Sequence, residues 1–446
     1  MQPRGDVPRR RPRDHHRPGR EGSHPRRRAL ALSPRRLCGP RRAGGGVSAG
    51  STLPKPLEGL RVLEFAQIAA GPFTGMLLAD LGADVVKVER PDGGDGMRGW
   101  PPLHQGDGGA DDVFSGNFTS LNRNKRSVAL DIKDKDDLAK LYALVENADV
   151  FIENFRPGAL KRAGLGYDQL KARNPRLVYC SITGYGQTGP YALKGAFDVT
   201  AQAMSGLMSV TGEENGPPVK CGVPVGDFAT GLYAGYVILA AVMRARQTGK
   251  GAQIDCSILG SLLGVSALQT SEYFGTGKAP KRLGSAHPRN APYAGFQASD
   301  KPFTIAAGND KLWRDTCAIV GRPDLPDDPR FSTQGLRAKN QDALAEILQP
   351  IFSTRTAEYW LTELDAKGIP CAPINDFAEI LSDPHVREAG WVRDVVMPNG
   401  AKAETVGFPI GMSDYAFEIT RTPPHLGEHN DEVLGEWTER RLAKAL

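Results

Sequence analysis

Short runs rich in valine and isoleucine alternate with helical stretches through the first 257 residues of this chain, and that alternation leaves few folds open. Residues 61–65 (RVLEF) form an apolar strand signal. Gly71-Pro72 leads into FTGMLLADLG, a helical stretch that Gly82 can close. Residues 83–89 (ADVVKVE) read as a second strand, giving a β-α-β unit. The pattern repeats. Asp134 suits a helix N-cap, with Leu138, Leu141, Leu144 and Val145 on one helical face. Strand signals follow at 149–153 (DVFIE), 177–183 (LVYCSIT) and 252–257 (AQIDCS), with helical stretches at 199–207, 228–248 and 258–273. Strand–helix alternation of this kind predicts an α/β fold on a parallel sheet.

The pattern changes after Gly275, where a Gly/Pro/Lys loop leads to PFTIAAG and to helical stretches near 311–320 and 340–364. Residues 273–375 are therefore predicted to form a smaller α+β domain. Residues from 376 onward hold too little apolar material for a core of their own and are expected to rejoin the first domain. The division is then 47–272 with 376–446 as the large domain, and 273–375 as the small one.

Charge separates off the start of the chain. Residues 1–46 hold 14 Arg against Asp6, Asp14 and Glu21, a net of +11, which leaves −6 for residues 47–446. Arg, Pro and Gly dominate this extension, and its composition predicts disorder. Three readings stand for it: a nucleic-acid-binding arm, a mitochondrial presequence, or an extension without function. Prolines at 3, 8, 12, 18 and 25 break any long amphipathic helix. No Phe, Tyr or Trp precedes Phe65, so the best stacking partners for single-stranded nucleic acid are missing. Neither a nucleic-acid partner nor a membrane is expected, since the longest apolar run (231–243) has 13 residues. The six cysteines are scattered, with no C-x-x-C and no metal-ligand spacing. That usage suits a reducing compartment, read as cytoplasmic, or as the mitochondrial matrix if the extension is a presequence.

Two motifs carry most of the chemistry. Gly184-Tyr-Gly186-Gln-Thr-Gly189 fits G-x-G-x-x-G, but Pro190 and Tyr191 follow where a dinucleotide site needs a helix to open. A nicotinamide or flavin site is rejected, and the glycines are left to shape a loop with close backbone approach. Asp227 lies in GVPVGDFATGLYAG, where a polar turn meets the long apolar helix. Position alone reads it as an N-cap. The same position suits a catalytic carboxylate: a helix dipole would keep it ionised, Gly226, Gly231 and Gly235 would admit a substrate, and a carboxylate is a competent nucleophile toward an acyl group. The basic residues Arg90, Arg123, Lys125, Arg126, Lys133, Arg156 and Arg162 fall near strand ends, where a polyphosphate ligand or plain solvation would account for them. His287, alone in SAHPRNAPY, could be catalytic, but a lone loop His is more often structural or incidental.

Taken together, PLEGLRVLEFAQIAAGPF, LADLGADVVKVERPDGGD, LNRNKRSVALDIK, ADVFIENFRPGALKRAGLGYDQL, NPRLVYCSITGYGQTGPY, DVTAQAMSGLM, GVPVGDFATGLYAG, TGKGAQIDCS and LGEHNDEVL resemble the family III CoA-transferases, the CaiB/BaiF group. The resemblance implies a Rossmann-like large domain built from both chain ends, a small domain between, and two chains interlocked as a homodimer. It implies an acyl-CoA donor and a carboxylic acid acceptor as substrates, with no permanently bound cofactor and no metal. It casts Asp227 as the nucleophile that becomes an aspartyl-CoA thioester. Arg90, Leu130, Lys133, Asn154, Phe155 and Arg162 match positions that contact CoA, and Ala69 one that lies near the pantetheine.

The same family holds α-methylacyl-CoA racemases, the alternative reading, which use a His just before the Asp of a G-H-D motif. Here that stretch is Gly195-Ala196-Phe197-Asp198, and Phe carries no proton. The loop 283–296 lacks the glycine run of the oxalate-using branch. CSITGYGQTGP, SGLM and TGLYAG resemble the succinyl-CoA:dicarboxylate (glutarate-type) branch. Arg282 and Arg289 could bind a distal carboxylate by bidentate hydrogen bonds.

Overall fold

The computed structural model describes residues 53–444. The arginine-rich stretch 1–46, and the disorder expected of it, lie outside the described residues.

Six strands build one sheet: β1 (Arg61–Phe65), β2 (Asp84–Glu89), β3 (Arg126–Ala129), β4 (Val150–Glu153), β5 (Val178–Thr183) and β6 (Ala252–Ser257). Their spatial order is 3-2-1-4-5-6, and every pair is parallel. This is the doubly wound order, whose direction reverses between β1 and β4 and opens a crevice there at the carboxyl ends of the strands. Central strands are buried on both faces because both are covered. On one face lie α1 (Ala70–Asp80) and α4 (Val225–Thr248), and the cluster around Val62, Val85, Ile152 and Ile238 fills the gap. On the other, α2 (Lys135–Glu146) packs with α6 (Asn430–Lys444) around Leu63, Phe151, Leu141, Val433 and Trp437. The C-terminal segment thus returns to the first sheet: Trp437 Nε1 donates to Asp84 Oδ2 at 3.0 Å.

Local signals explain most boundaries. The Asp134 carboxylate accepts from the backbone N–H groups of Asp136 and Asp137 at 2.9 and 3.0 Å and starts α2 as expected. Gly249, at φ +71°, ends α4 in the left-handed conformation. Two long helical signals are each divided. One becomes α5 (Ile258–Val265) and a helix over Ala267–Thr276, parted at Ser266, whose hydroxyl donates to the carbonyl of Leu262 at 2.8 Å. The other becomes Gln341–Phe352 and Ala357–Ala366, where Thr356 caps the second helix by accepting from Tyr359 N.

Between these parts of the chain sits a three-stranded antiparallel sheet of β7 (Tyr293–Gln297), β8 (Pro302–Ala306) and β9 (Cys371–Pro373), with β8 central. It has its own apolar cluster, including Phe303, Trp313, Phe352 and Trp360. The fully buried Arg337 donates to the carbonyls of Ala291, Phe331 and Gly308 and pairs with Asp310 at 2.9 Å. Among the described residues only α4 is long and apolar enough to cross a membrane, and half of its most apolar window is buried in the fold.

Candidate active site

The crevice between β1 and β4 contains a cavity of about 330 Å³. The loops after β1, β4 and β5 supply three of its sides, and the segment 192–198 supplies another. Asp227 projects into it from the first turn of α4.

Asp227 does not cap its helix. The helix begins two residues earlier, at Val225, and Pro224 occupies the N-cap position without a side-chain bond. The carboxylate is half-buried, and no side-chain hydrogen bond to it forms among the described residues. Nor does the helix dipole hold it at a low pKa. Burial, reinforced by the negative charge of Asp198, pushes it up to about 6. It is still mainly ionised at neutral pH, with little to compensate the charge.

Asp198 is the neighbour that the sequence reading passed over. It opens α3 (Asp198–Met204). One carboxylate oxygen accepts from Gly226 N at 2.8 Å, and the other from Gln202 Nε2 at 2.6 Å. Asp198 therefore pins the start of α4 and sets where Asp227 lies. The sign of its role was legible in the sequence only as an acid placed beside Phe197. Gly226 and Gly231 are closed off by packing, whereas a Cβ on Gly235 would meet only Leu77 at 4.0 Å. A Cβ on Gly226 would lie 2.8 Å from Ile258 and 2.9 Å from Asp198, and one on Gly231 would lie 2.7 Å from Phe73.

Three of the seven expected CoA contacts meet Asp227 in this cavity: Ala69, Asn154 and Phe155. Asn154 spends its amide on the protein, accepting from Gln67 N at 2.9 Å and donating to Gln67 O at 2.7 Å. It ties the loop after β1 to the end of β4. Phe155 packs on Phe65, and its N–H donates to Glu153 at 2.8 Å. Burial pushes Glu153 up to about 7. Arg90, Leu130, Lys133 and Arg162 do not line the cavity. They follow β2, β3 and β4 along the same sheet edge. Arg90, Lys133 and Arg162 are exposed, whereas the Leu130 side chain is core.

The basic cluster divides. Arg123 pairs with Asp80 at 2.7 Å, Lys125 with Glu64 at 2.7 Å, and Arg126 with Asp84 at 2.6 Å, all three cations buried. They hold the fold and are not available to phosphate. Arg156, exposed, lines the cavity mouth with Lys194. Arg282 donates to the carbonyls of Glu213 and Gly216, Arg289 lies 3.6 Å from Glu272, and neither lines the cavity. The 184–189 loop follows β5 rather than β1 and opens no helix, as its rejection as a dinucleotide site requires. His287 accepts from Arg289 N and packs on Tyr293. No group of three or more potential metal ligands occurs among the described residues.

Residues 57–430 match the family model described as CoA-transferase family III. The chain belongs to this family. It is 39% identical over 382 residues to the succinyl-CoA:glutarate CoA-transferase of Homo sapiens, covering 86% of each chain. It is also 39% identical over 361 residues to the acetyl-CoA:oxalate CoA-transferase of Acetobacter aceti, covering 81% of this chain and 90% of that one. The crystal structure of a CaiB/BaiF family protein from Brucella suis superposes with a TM-score of 0.77 at 39% identity, over 86% of this chain and 99% of the other. Family III CoA-transferase activity follows for this chain, and the two relatives name different acids at equal identity.

Proposed function

We propose that Asp227 is the nucleophile of this CoA-transferase and that it carries CoA between two acids. The observation that carries this reading is the Asp227 carboxylate itself: half-buried, unpaired among the described residues, and facing a cavity at the carboxyl ends of the parallel strands. One Asp227 oxygen attacks the thioester carbon of the donor, the C–S bond breaks, and CoA leaves as thiolate. The thiolate attacks the Asp227 carbonyl of the resulting anhydride and releases the donor acid as its carboxylate. The aspartyl-CoA thioester then meets the acceptor carboxylate, and the same two steps in reverse yield the new acyl-CoA and free Asp227. The donor is succinyl-CoA and the acceptor a dicarboxylate, with Arg90, Lys133 and Arg162 on the nucleotide end of CoA and Arg156 and Lys194 at the cavity mouth.

Racemisation needs a second base. Phe197 stands in the cavity wall where a racemase has His, and both Asp198 oxygens are engaged by Gly226 and Gln202. The assembly belongs to the same proposal: a large domain from both chain ends, a small one over 273–375, and a homodimer. The outer faces of α4, α5 and the helix after it expose Leu232, Tyr236, Met243, Leu263, Leu268 and Phe274, apolar side chains that a second copy would cover.

The test is incubation with succinyl-CoA and a panel of acids including glutarate, mesaconate and oxalate, read by mass spectrometry. A new acyl-CoA with free succinate is expected for at least one dicarboxylate. Absence of exchange with every acid, together with solvent-proton exchange at the α-carbon of a branched acyl-CoA, would overturn it.

A further inference from the structure

A second charged centre lies beneath the same cavity. Glu64, Lys87, Asp95 and Lys125 have fully buried side chains, and Lys87 pairs with Glu64 and Asp95 at 2.9 Å each while Lys125 pairs with Glu64 at 2.7 Å. These four groups do more than neutralise one another. Lys87 donates to the carbonyl of Ala66 at 2.8 Å, and Lys125 to that of Pro72 at 2.8 Å. Both Asp95 oxygens lie 3.1 Å from the backbone N of Ile68, which donates to that carboxylate. Asn154 holds Gln67 between them. The seven residues from Ala66 to Pro72 are thus gripped at four points, all from side chains outside the loop.

The grip has a reason in the backbone. Ile68 has φ +66°, the left-handed region that a β-branched residue rarely enters. A relaxed Ile68 would return to negative φ and swing the next residue, Ala69, which lines the Asp227 cavity. Strain of this kind persists only where the surroundings over-determine it.

We infer that Asp95 is a positioning residue for the transfer reaction: its carboxylate holds Ile68 in the left-handed conformation and so fixes the Ala69 backbone against the reacting end of the substrate. This rests on the reading of the cavity as the transfer site. The groups expected at the nucleotide end of CoA lie on other loops, so the effect belongs to turnover rather than to affinity.

Asp95→Ala tests it alongside Ile68→Gly and the double variant, in the full chain, with kcat and KM taken on the folded fraction. Asp95→Ala is expected to lower kcat about 10- to 100-fold with KM for acyl-CoA within about threefold, and to lower Tm. Glycine adopts φ +66° without strain. Adding Ile68→Gly to Asp95→Ala is therefore expected to restore kcat to within about fivefold of wild type while Tm stays low. A purely structural role would leave kcat and Tm falling together with no recovery, and that result overturns the inference. If Asp95→Ala does not fold, Ile68→Gly alone decides: kcat within about threefold supports a backbone role, and a loss beyond tenfold overturns it. Asp227→Asn, inactive by the reading of the site, keeps the two claims separate, since recovery in the double variant requires a working site.

Discussion

Two acidic centres flank the loop between β1 and α1, and they are built on opposite rules. Below the loop, Glu64 and Asp95 face Lys87 and Lys125 with no solvent exposure and every charge paired. Burial alone would lower Lys87, but the carboxylates of Glu64, Asp95 and Glu89 outweigh it and hold it protonated above its ordinary value. Lys125 goes the other way, since burial and the repulsion of Lys87 bring it down to about 8. Above the loop, Asp227 is half-buried and has neither cation nor side-chain hydrogen bond among the described residues. A carboxylate surrounded by donors is spent on structure. One left without donors, and pushed up to about 6, has the character the proposed nucleophile needs.

The contrast breaks most sharply at Asp227 itself. Asp227→Asn is expected to lower kcat about 10⁴-fold in a steady-state transfer assay while leaving CoA binding near wild type. The paired centre answers differently. Lys125→Met should cost about 3–5 kcal/mol of stability in urea unfolding, because Glu64 and Asp95 are then left with Lys87 alone and one buried negative charge is in excess. Adding Glu64→Gln restores neutrality and should recover about half of that loss. A full loss in the double variant would show that the bond to Pro72 O, not charge balance, is what Lys125 contributes.

Acidity sharpens the comparison further. Asp227 must be ionised to attack, so kcat/KM should fall about tenfold per pH unit below about 6, as read from a pH–rate profile. Arg162→Ala, on the short helix after β4 and outside the cavity, should raise KM for the acyl-CoA about fivefold and leave kcat unchanged, as expected for an exposed cation that binds without reacting. The smallest effect is on stability. The fold holds the Asp227 proton up to about pH 6, whereas the unfolded chain releases it near the ordinary 3.8, so wild-type stability falls as pH rises through that window and levels off above it. Asp227→Asn escapes the loss. Its Tm should match wild type near pH 4 and exceed it at pH 7.5 by the equivalent of about 1 kcal/mol after solvent screening.

The sheet was legible because parallel strands buried on both faces are continuous apolar runs. RVLEF and AQIDCS coincide with the strands observed, and ADVVKVE and DVFIE each start one residue before theirs. β3 was not. Its sequence RSVA is short and polar, and it holds its place through long-range bonds: Arg126 to Asp84, Glu432 and Glu436, and Ser127 to Glu89. The cations misled for the same reason. Nothing local distinguishes Lys125, paired with a glutamate 61 positions earlier, from Lys133, which is exposed. At the site, Asp227 and Phe197 stood out through their motifs. Asp198 and Asp95 did not, because their partners, Gly226 N and Ile68 N, are backbone groups brought close only by the fold.

The central claim is that Asp227 carries CoA, and it can be read directly on the protein. Enzyme mixed with succinyl-CoA in the absence of any acceptor, quenched, digested and analysed by mass spectrometry should yield the peptide containing Asp227 joined to CoA through a thioester, and hydroxylamine should convert that residue to the hydroxamate. An unmodified Asp227 peptide from enzyme that is turning over, or CoA attached at any other residue, would contradict the account.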